Sequence, residues 1–219
     1  MSDTAAPCPA WLDRFLAEAP RMTVPPAMRP AATARPAAVL ILFGEGPHGP
    51  DILLTERAAT LTKHAGQPAF PGGRIDPGDD GPVGAALREA QEEAGVEPSG
   101  VQVLTTLPEL YLRHSNHRVT PVAAWWRTPS KIAPGHPGEV ATVARVPIDE
   151  LVDPGNRLTV RYPDGLRVGP AFRVSGMLVW GFTAKVLTQV LRAGGWERPW
   201  DDGRVEDLPR EIVDLAGGG

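Results

Sequence analysis

Residues 72–96 read GGRIDPGDDGPVGAALREAQEEAGV, and the reading of this stretch decides the rest. Two glycines and an acidic loop (Asp76, Asp79, Asp80) lead into a helix start of small residues. The spacing predicts a helix over about 82–94, halted by Gly95. At about 100° per residue, Val83, Leu87, Ala90 and Ala94 form one stripe suited to packing against a sheet. Glu89, Glu92 and Glu93 share another face, because i, i+3 and i+4 positions are neighbours on a helix. Three carboxylates this close repel one another. Arg88, one turn before Glu92, relieves only part of that repulsion. Taken alone, REAQEE also reads as a solvated helix surface. The glycine pair, the acidic loop and the glycine stop around it favour a cluster of hard oxygen ligands, suited to Mg²⁺ or Mn²⁺, which keep waters and hold substrate phosphates.

Working outward, AVLILF (38–43) and DILLTER (51–57) have strand patterns, and GEGPHGP between them is a turn, so the two are expected to form a hairpin. Residues 58–71 are expected to be a loop leading into a glycine-rich turn. Downstream, strands are expected near 101–105 and 118–126, a short helix around 147–152, a hairpin over 157–173 and a last helix near 176–193. Upstream, Trp11, Leu12, Phe15 and Leu16 have helical spacing, and the proline-rich stretch from about 20 to 36 is expected to be an extended linker. The chain therefore divides into 1–36 (helix and linker), 37–193 (the main domain) and 194–219 (a partly loose tail). Strands interleaved with a few helices imply a mixed α/β sandwich rather than a regular parallel sheet.

Composition narrows the function classes. The 219 residues are 42% hydrophobic and 22% charged, enough to build a buried core. A net charge of −4 gives no electrostatic reason to expect nucleic acid or an anionic membrane as partner, and it means that any phosphate site needs local cations. The single cysteine, Cys8, excludes an intrachain disulfide framework and a thiolate metal cluster and is compatible with a reducing cytosol. The N-terminus lacks the basic-then-apolar pattern of a secretory signal, and GMLVWGFTAKVLTQVL is too short and polar to span a bilayer. A cytoplasmic protein is expected. Oligomeric state is left open.

Residues 72–96 resemble the Nudix box, the signature of metal-dependent pyrophosphohydrolases. Arg88 to Val96 (REAQEEAGV) match its second half at each fixed position. Gly73 to Arg88 is one residue longer than the commonest spacing and carries Asp79 or Asp80 where glutamate is usual. Residues 53–73, LLTERAATLTKHAGQPAFPGG, are similar to the signature that precedes a longer, aspartate-bearing box in the coenzyme A diphosphatase subgroup. Thr62 stands where that signature has arginine, with Lys63 beside it. The resemblance covers roughly 37–190. It implies the Nudix α/β/α sandwich, a mixed β-sheet between helices with a catalytic loop–helix–loop. It also implies hydrolysis of coenzyme A or a derivative at its diphosphate, with Mg²⁺ or Mn²⁺. On this reading Glu89 and Glu93 are the primary metal ligands, Glu92 is a further ligand or the base, and Arg88 orients the carboxylates. Asp79 or Asp80 supports the loop. Arg57, Lys63, His64 and the backbone of Gly72 and Gly73 meet phosphates.

Two other readings stand beside it: a Nudix enzyme for another nucleoside diphosphate linked to X, and a non-catalytic module that binds a nucleotide. For Arg57 the alternative is a strand-end residue paired to a structural carboxylate, and for His64 an ordinary loop histidine. Glu139, in GHPGEV, is a candidate ligand or base, or a strand-flanking surface residue. The run RHSNHR (113–118) has too few ligands for zinc and reads as a polar loop or a phosphate contact.

Overall fold

The structure is a computed structural model and describes residues 8–61, 65–136, 138–162, 165, 168–210 and 212. In chain order it contains α1 (Asp13–Glu18), β1 (Arg35–Gly46), β2 (Gly49–Arg57), β3 (Pro68–Ala69), β4 (Gly72–Arg74), α2 (Gly81–Ala94), β5 (Val101–Thr106), β6 (Leu110–Leu112), β7 (His117–Trp126), β8 (Val140–Pro147), α3 (Ile148–Val152), β9 (Arg157–Arg161), β10 (Val168–Val174), β11 (Met177–Val179), α4 (Gly181–Gly194) and β12 (Val205–Asp207).

The larger sheet, β1 to β8, is mixed. β1 and β7 run parallel over nine positions, Arg35↔His117 to Phe43↔Trp125, with α2 in the crossover between them. The pairs β1–β2, β1–β4, β2–β3, β2–β8, β5–β7 and β6–β7 are antiparallel. Alternation along the central strands sorts side chains to two faces, because successive residues of a strand point opposite ways. Ala38, Leu40, Leu42, Leu53, Val122, Ala124 and Trp126 face α2. Ile41, Phe43, Ile52, Leu54, Ala123 and Trp125 face α1, α4 and a second, four-stranded sheet ordered β11-β10-β9-β12. Helices on both faces of a mixed sheet give the expected α/β/α sandwich; the second sheet was not anticipated.

Several expectations need correction. On α2 the deepest positions are Ala85, Ala86, Ala90 and Ala94, all fully buried, while Val83 and Leu87 are only partly buried at the edge of the contact. Alanine lets the helix axis come close to the sheet, and that pulls Glu93 into the protein, 9% exposed. The glycine-rich turn is the short strand β4, paired to Ala37–Val39, and the preceding loop contains β3. The last helix begins at Gly181. Residues 177–179 instead form β11, returned onto β10 by a turn in which Ser175 and Gly176 both have positive φ (48° and 77°). In the segment after 194, Trp196 packs against Trp11, Phe15 and Phe43, with centroids 5.8–6.4 Å apart, and β12 pairs with β9. These residues are therefore held, not loose. No helix among the described residues is long and apolar enough to cross a membrane.

Candidate active site

α2 presents its carboxylates at the end of the sheet where β1 begins and β2 ends. The entry into the helix is fixed by one arginine. Arg88 donates from Nε and Nη2 to the two oxygens of Asp79 (2.9 and 3.2 Å), from Nη1 to Glu89 and Glu92 (3.0 Å each) and from Nη2 to the carbonyl of Arg74 (3.2 Å). Asp79 in turn accepts the N–H of Asp76 at 2.7 Å. These bonds hold the Asp79 carboxyl below its usual range, with Arg88 as the main cause, and push Arg88 further toward the charged form. Of the two aspartates the sequence left open, Asp79 carries the loop. Asp80 is the residue before the helix, and no side-chain cap hydrogen bond comes from it; its carbonyl accepts the N–H of Gly84.

The three glutamates, alike in sequence, differ in surroundings. Glu92 is half exposed and tethered by Arg88. Glu89 lies lower, and burial raises its carboxyl above the ordinary value against the pull of Arg88. Glu93 is lowest, and burial pushes its carboxyl up to about 7. Its partners are the N–H of Gly72 at 3.2 Å and the Arg57 guanidinium, whose Nη1 is 3.8 Å away, too far for a close ion pair. Glu89 and Glu139 add negative charge nearby and raise the Glu93 carboxyl further.

Both glycines of β4 are required by close approach. A Cβ on Gly72 would lie 2.4 Å from the Ala38 carbonyl, and one on Gly73 would lie 2.2 Å from a Glu89 carboxylate oxygen. β4 is thus wedged between β1 and the acidic face of α2, with backbone rather than side chains lining the site. Arg57, the last residue of β2, is aimed at this point, and its buried Nε has no hydrogen-bond partner. Glu139 lies next to it: its carbonyl accepts the N–H of Ala58 at 2.9 Å, and Val140 pairs with Arg57. Lys63, His64 and Thr62 lie outside the described residues. Residues 113–115 form a single 3-10 turn closed by Asn116 in the left-handed region (φ 53°).

The donor set fits a hard divalent cation. Two carboxylates, Glu89 and Glu93, flank one short strand, and Glu93 is buried with less compensating charge than an ionised buried carboxylate needs. Among the described residues no three His, Cys, Asp or Glu side chains close on one point as a ready-made cage. An ion here would take one or two carboxylates and complete its shell with water and substrate oxygens, the habit of Mg²⁺.

Sequence reasoning singled out Glu139 but missed that residues 130–135 before it pack along the carboxy-terminal end of α2. The only signals of this were Gly135 and Gly138, two glycines in a polar stretch.

Comparison with known proteins identifies the family. The NUDIX domain profile matches residues 33–163. The uncharacterized Nudix hydrolase NudL of Pectobacterium atrosepticum is 39% identical over 196 residues, covering 87% of this chain and 96% of its own. That of Cronobacter sakazakii is 40% identical over 193 residues, covering 83% and 94%. Among solved structures, the Nudix hydrolase RenU of M. smegmatis is 26% identical with a TM-score of 0.46, covering 58% of this chain and 83% of its own. The chain belongs to the Nudix family and is a hydrolase of the pyrophosphate bond in nucleoside diphosphate-linked compounds, a family that generally uses divalent metals such as Mg²⁺ or Mn²⁺.

Proposed function

We propose that this hydrolase cleaves the diphosphate of coenzyme A or its derivatives in the cytoplasm, adding water across the P–O–P linkage to give adenosine 3′,5′-bisphosphate and 4′-phosphopantetheine. One observation carries the reading. The stretch that resembles the coenzyme A diphosphatase signature, residues 53–73, forms β3 and most of β2 and enters β4, and it brings Arg57 and the Gly72–Gly73 backbone against Glu93.

Glu89 and Glu93 hold the cation, with Glu92 and Glu139 as further ligands or base. When bound, Mg²⁺ or Mn²⁺ neutralises the diphosphate and lowers the pKa of a coordinated water. Arg88 keeps Glu89 and Glu92 in fixed rotamers by bonding both, and through Asp79 it ties them to the loop before α2. Arg57 offers its guanidinium to a phosphate oxygen, a charge-assisted contact, and Lys63 and His64 add cationic and hydrogen-bonding capacity from the same segment. A protonated Glu93 is a poor metal ligand, so cation uptake and loss of its proton are coupled.

The test is incubation of the purified chain with coenzyme A and Mg²⁺ or Mn²⁺, with products read by mass. The two phosphorylated halves named above are expected. Cleavage of a sugar nucleotide, dinucleotide or oxidised nucleotide in preference to coenzyme A would move the assignment to another nucleoside diphosphate substrate. Saturable binding without turnover would make the chain a nucleotide-binding module.

A further inference from the structure

The carboxy-terminal end of α2 is not left to solvent. Its last carbonyls are taken in succession by the connection from β7 to β8. Ser130 Oγ donates to the Gly95 carbonyl at 3.0 Å, Ala133 N–H to Ala94 at 3.2 Å and Gly135 N–H to Glu93 at 3.1 Å. Ser130 Oγ also accepts the N–H of Glu97 at 3.1 Å, and Ile132 packs into the apolar cluster beneath α2. Gly135 comes so near that a Cβ on it would lie 1.8 Å from the Glu92 carbonyl oxygen and 2.9 Å from the carbonyl carbon. Both are backbone atoms, which cannot swing aside as a side-chain tip can. Reaching ordinary van der Waals separation would open this contact by more than roughly 1 Å.

Four residues further on, the same connection reaches Glu139 and then β8, beside Ala58 and Arg57. It therefore joins the two walls of the site: the last turn of α2, with Glu92 and Glu93, and the strand end with Arg57 and Glu139.

We propose that Gly135 is a positioning residue: its N–H and its missing Cβ clasp the last turn of α2 and set Glu93 at the separation from Arg57 and Glu139 at which the site takes up its divalent cation. The inference rests on the reading of α2 as the metal-holding helix. A misplacement near 1 Å is enough to cost large factors in a site of fixed geometry.

The test is Mn²⁺ titration of the full chain, followed by electron paramagnetic resonance, in a cycle of wild type, Gly135→Ala, Glu93→Gln and the double variant. Gly135→Ala weakens Mn²⁺ binding by about tenfold in the wild-type background and by less than about twofold when Glu93 is already Gln, because the two act through one ligand. A residue that merely supports the fold would give losses that multiply. Multiplying losses, or unchanged affinity in Gly135→Ala, overturn the proposal. Ser130→Ala loosens the same connection without adding bulk and guards against a Gly135 variant that does not fold. About threefold weaker binding, again absent in the Glu93→Gln background, is expected, and unchanged binding overturns the proposal. Turnover of coenzyme A is read in parallel. A wild type that takes up Mn²⁺ yet cleaves nothing sinks the functional reading, while the cycle still decides the clasp; a wild type that takes up no Mn²⁺ removes both.

Discussion

Two places in the larger sheet bury an acid beside an arginine, and they are built in opposite ways. Where the β1–β2 hairpin turns, Asp51 meets Arg145 at 2.8 Å, and Arg145 also lies over the Trp126 ring, 5.2 Å from its centroid. A Cβ at Gly44 or Gly46 would run into this pair, 2.7 and 2.5 Å from the Asp51 oxygens, so the neighbouring backbone is pressed against it. Where β2 ends, Glu93 has Arg57 only at 3.8 Å and a second, half-buried carboxylate, Glu89, close enough to raise it further. Burial raises both Asp51 and Glu93. At the first place the cation is in the chain and the pair is closed. At the second the protein stops short of neutrality, and on the proposed reading a divalent cation would supply the missing positive charge.

The sharpest way to break that contrast is Glu93→Gln. Turnover is expected to fall at least about 10²-fold, measured in steady state at saturating Mn²⁺. In chelator the same variant gains stability. The sign follows from the raised carboxyl: with a folded value of about 7 against an ordinary 4.5, the folded state holds the proton more tightly. Metal-free wild type therefore loses stability as pH rises from about 4.5 through 7 and stays low above that, by up to about 3 kcal/mol. Glu93→Gln removes that slope. Urea unfolding at pH 5 and pH 8 in chelator checks it; equal slopes for the two proteins would mean that Glu93 is not held uncompensated.

At the closed pair the outcome reverses. Asp51→Ala leaves the partly buried Arg145 without its partner and costs about 2 kcal/mol in denaturant unfolding, while kcat per folded molecule stays at the wild-type value. A fall in kcat would show that the pair serves the site after all. Arg57→Ala comes next in size. It removes the cation 3.8 Å from Glu93 and the proposed phosphate contact, so kcat/KM falls by about 30-fold, with the stability change under about 1 kcal/mol. An activity close to wild type would return Arg57 to the status of a strand-end residue.

Much of this architecture was legible because it follows from period. The central strands β1, β2 and β7 alternate between two apolar faces, and α2 ends at a glycine that takes φ 73°. The grouping of Glu89, Glu92 and Glu93 on one face follows from helix geometry alone. Their inequality does not: it depends on alanines drawing α2 onto the sheet and on β4 passing between, and both are long-range contacts. Short strands were invisible for a related reason. β4 is Gly-Gly-Arg and β3 is Pro-Ala, sequences with no strand preference, held by their neighbours rather than by their own residues. β11 lay inside an apolar run that reads equally as helix, and only the Ser175–Gly176 turn separates it from β10.

The smallest expected effect distinguishes the glutamates from one another. Glu92 is half exposed, and its contact with Arg88 at 3.0 Å spans one turn of the helix surface, a pairing worth only a few tenths of a kcal/mol. Glu92→Gln should therefore leave folding untouched. If Glu92 is a peripheral ligand, as its exposure implies, kcat drops by about three- to tenfold and the Mn²⁺ needed for half-maximal rate rises by a similar factor. If it is the base, kcat drops by about 10²-fold or more at unchanged metal requirement. Only the first outcome preserves the proposed gradient from exposed Glu92 to buried Glu93, in which the deepest carboxylate, the one with the least compensation from the protein, would have the strongest hold on the cation.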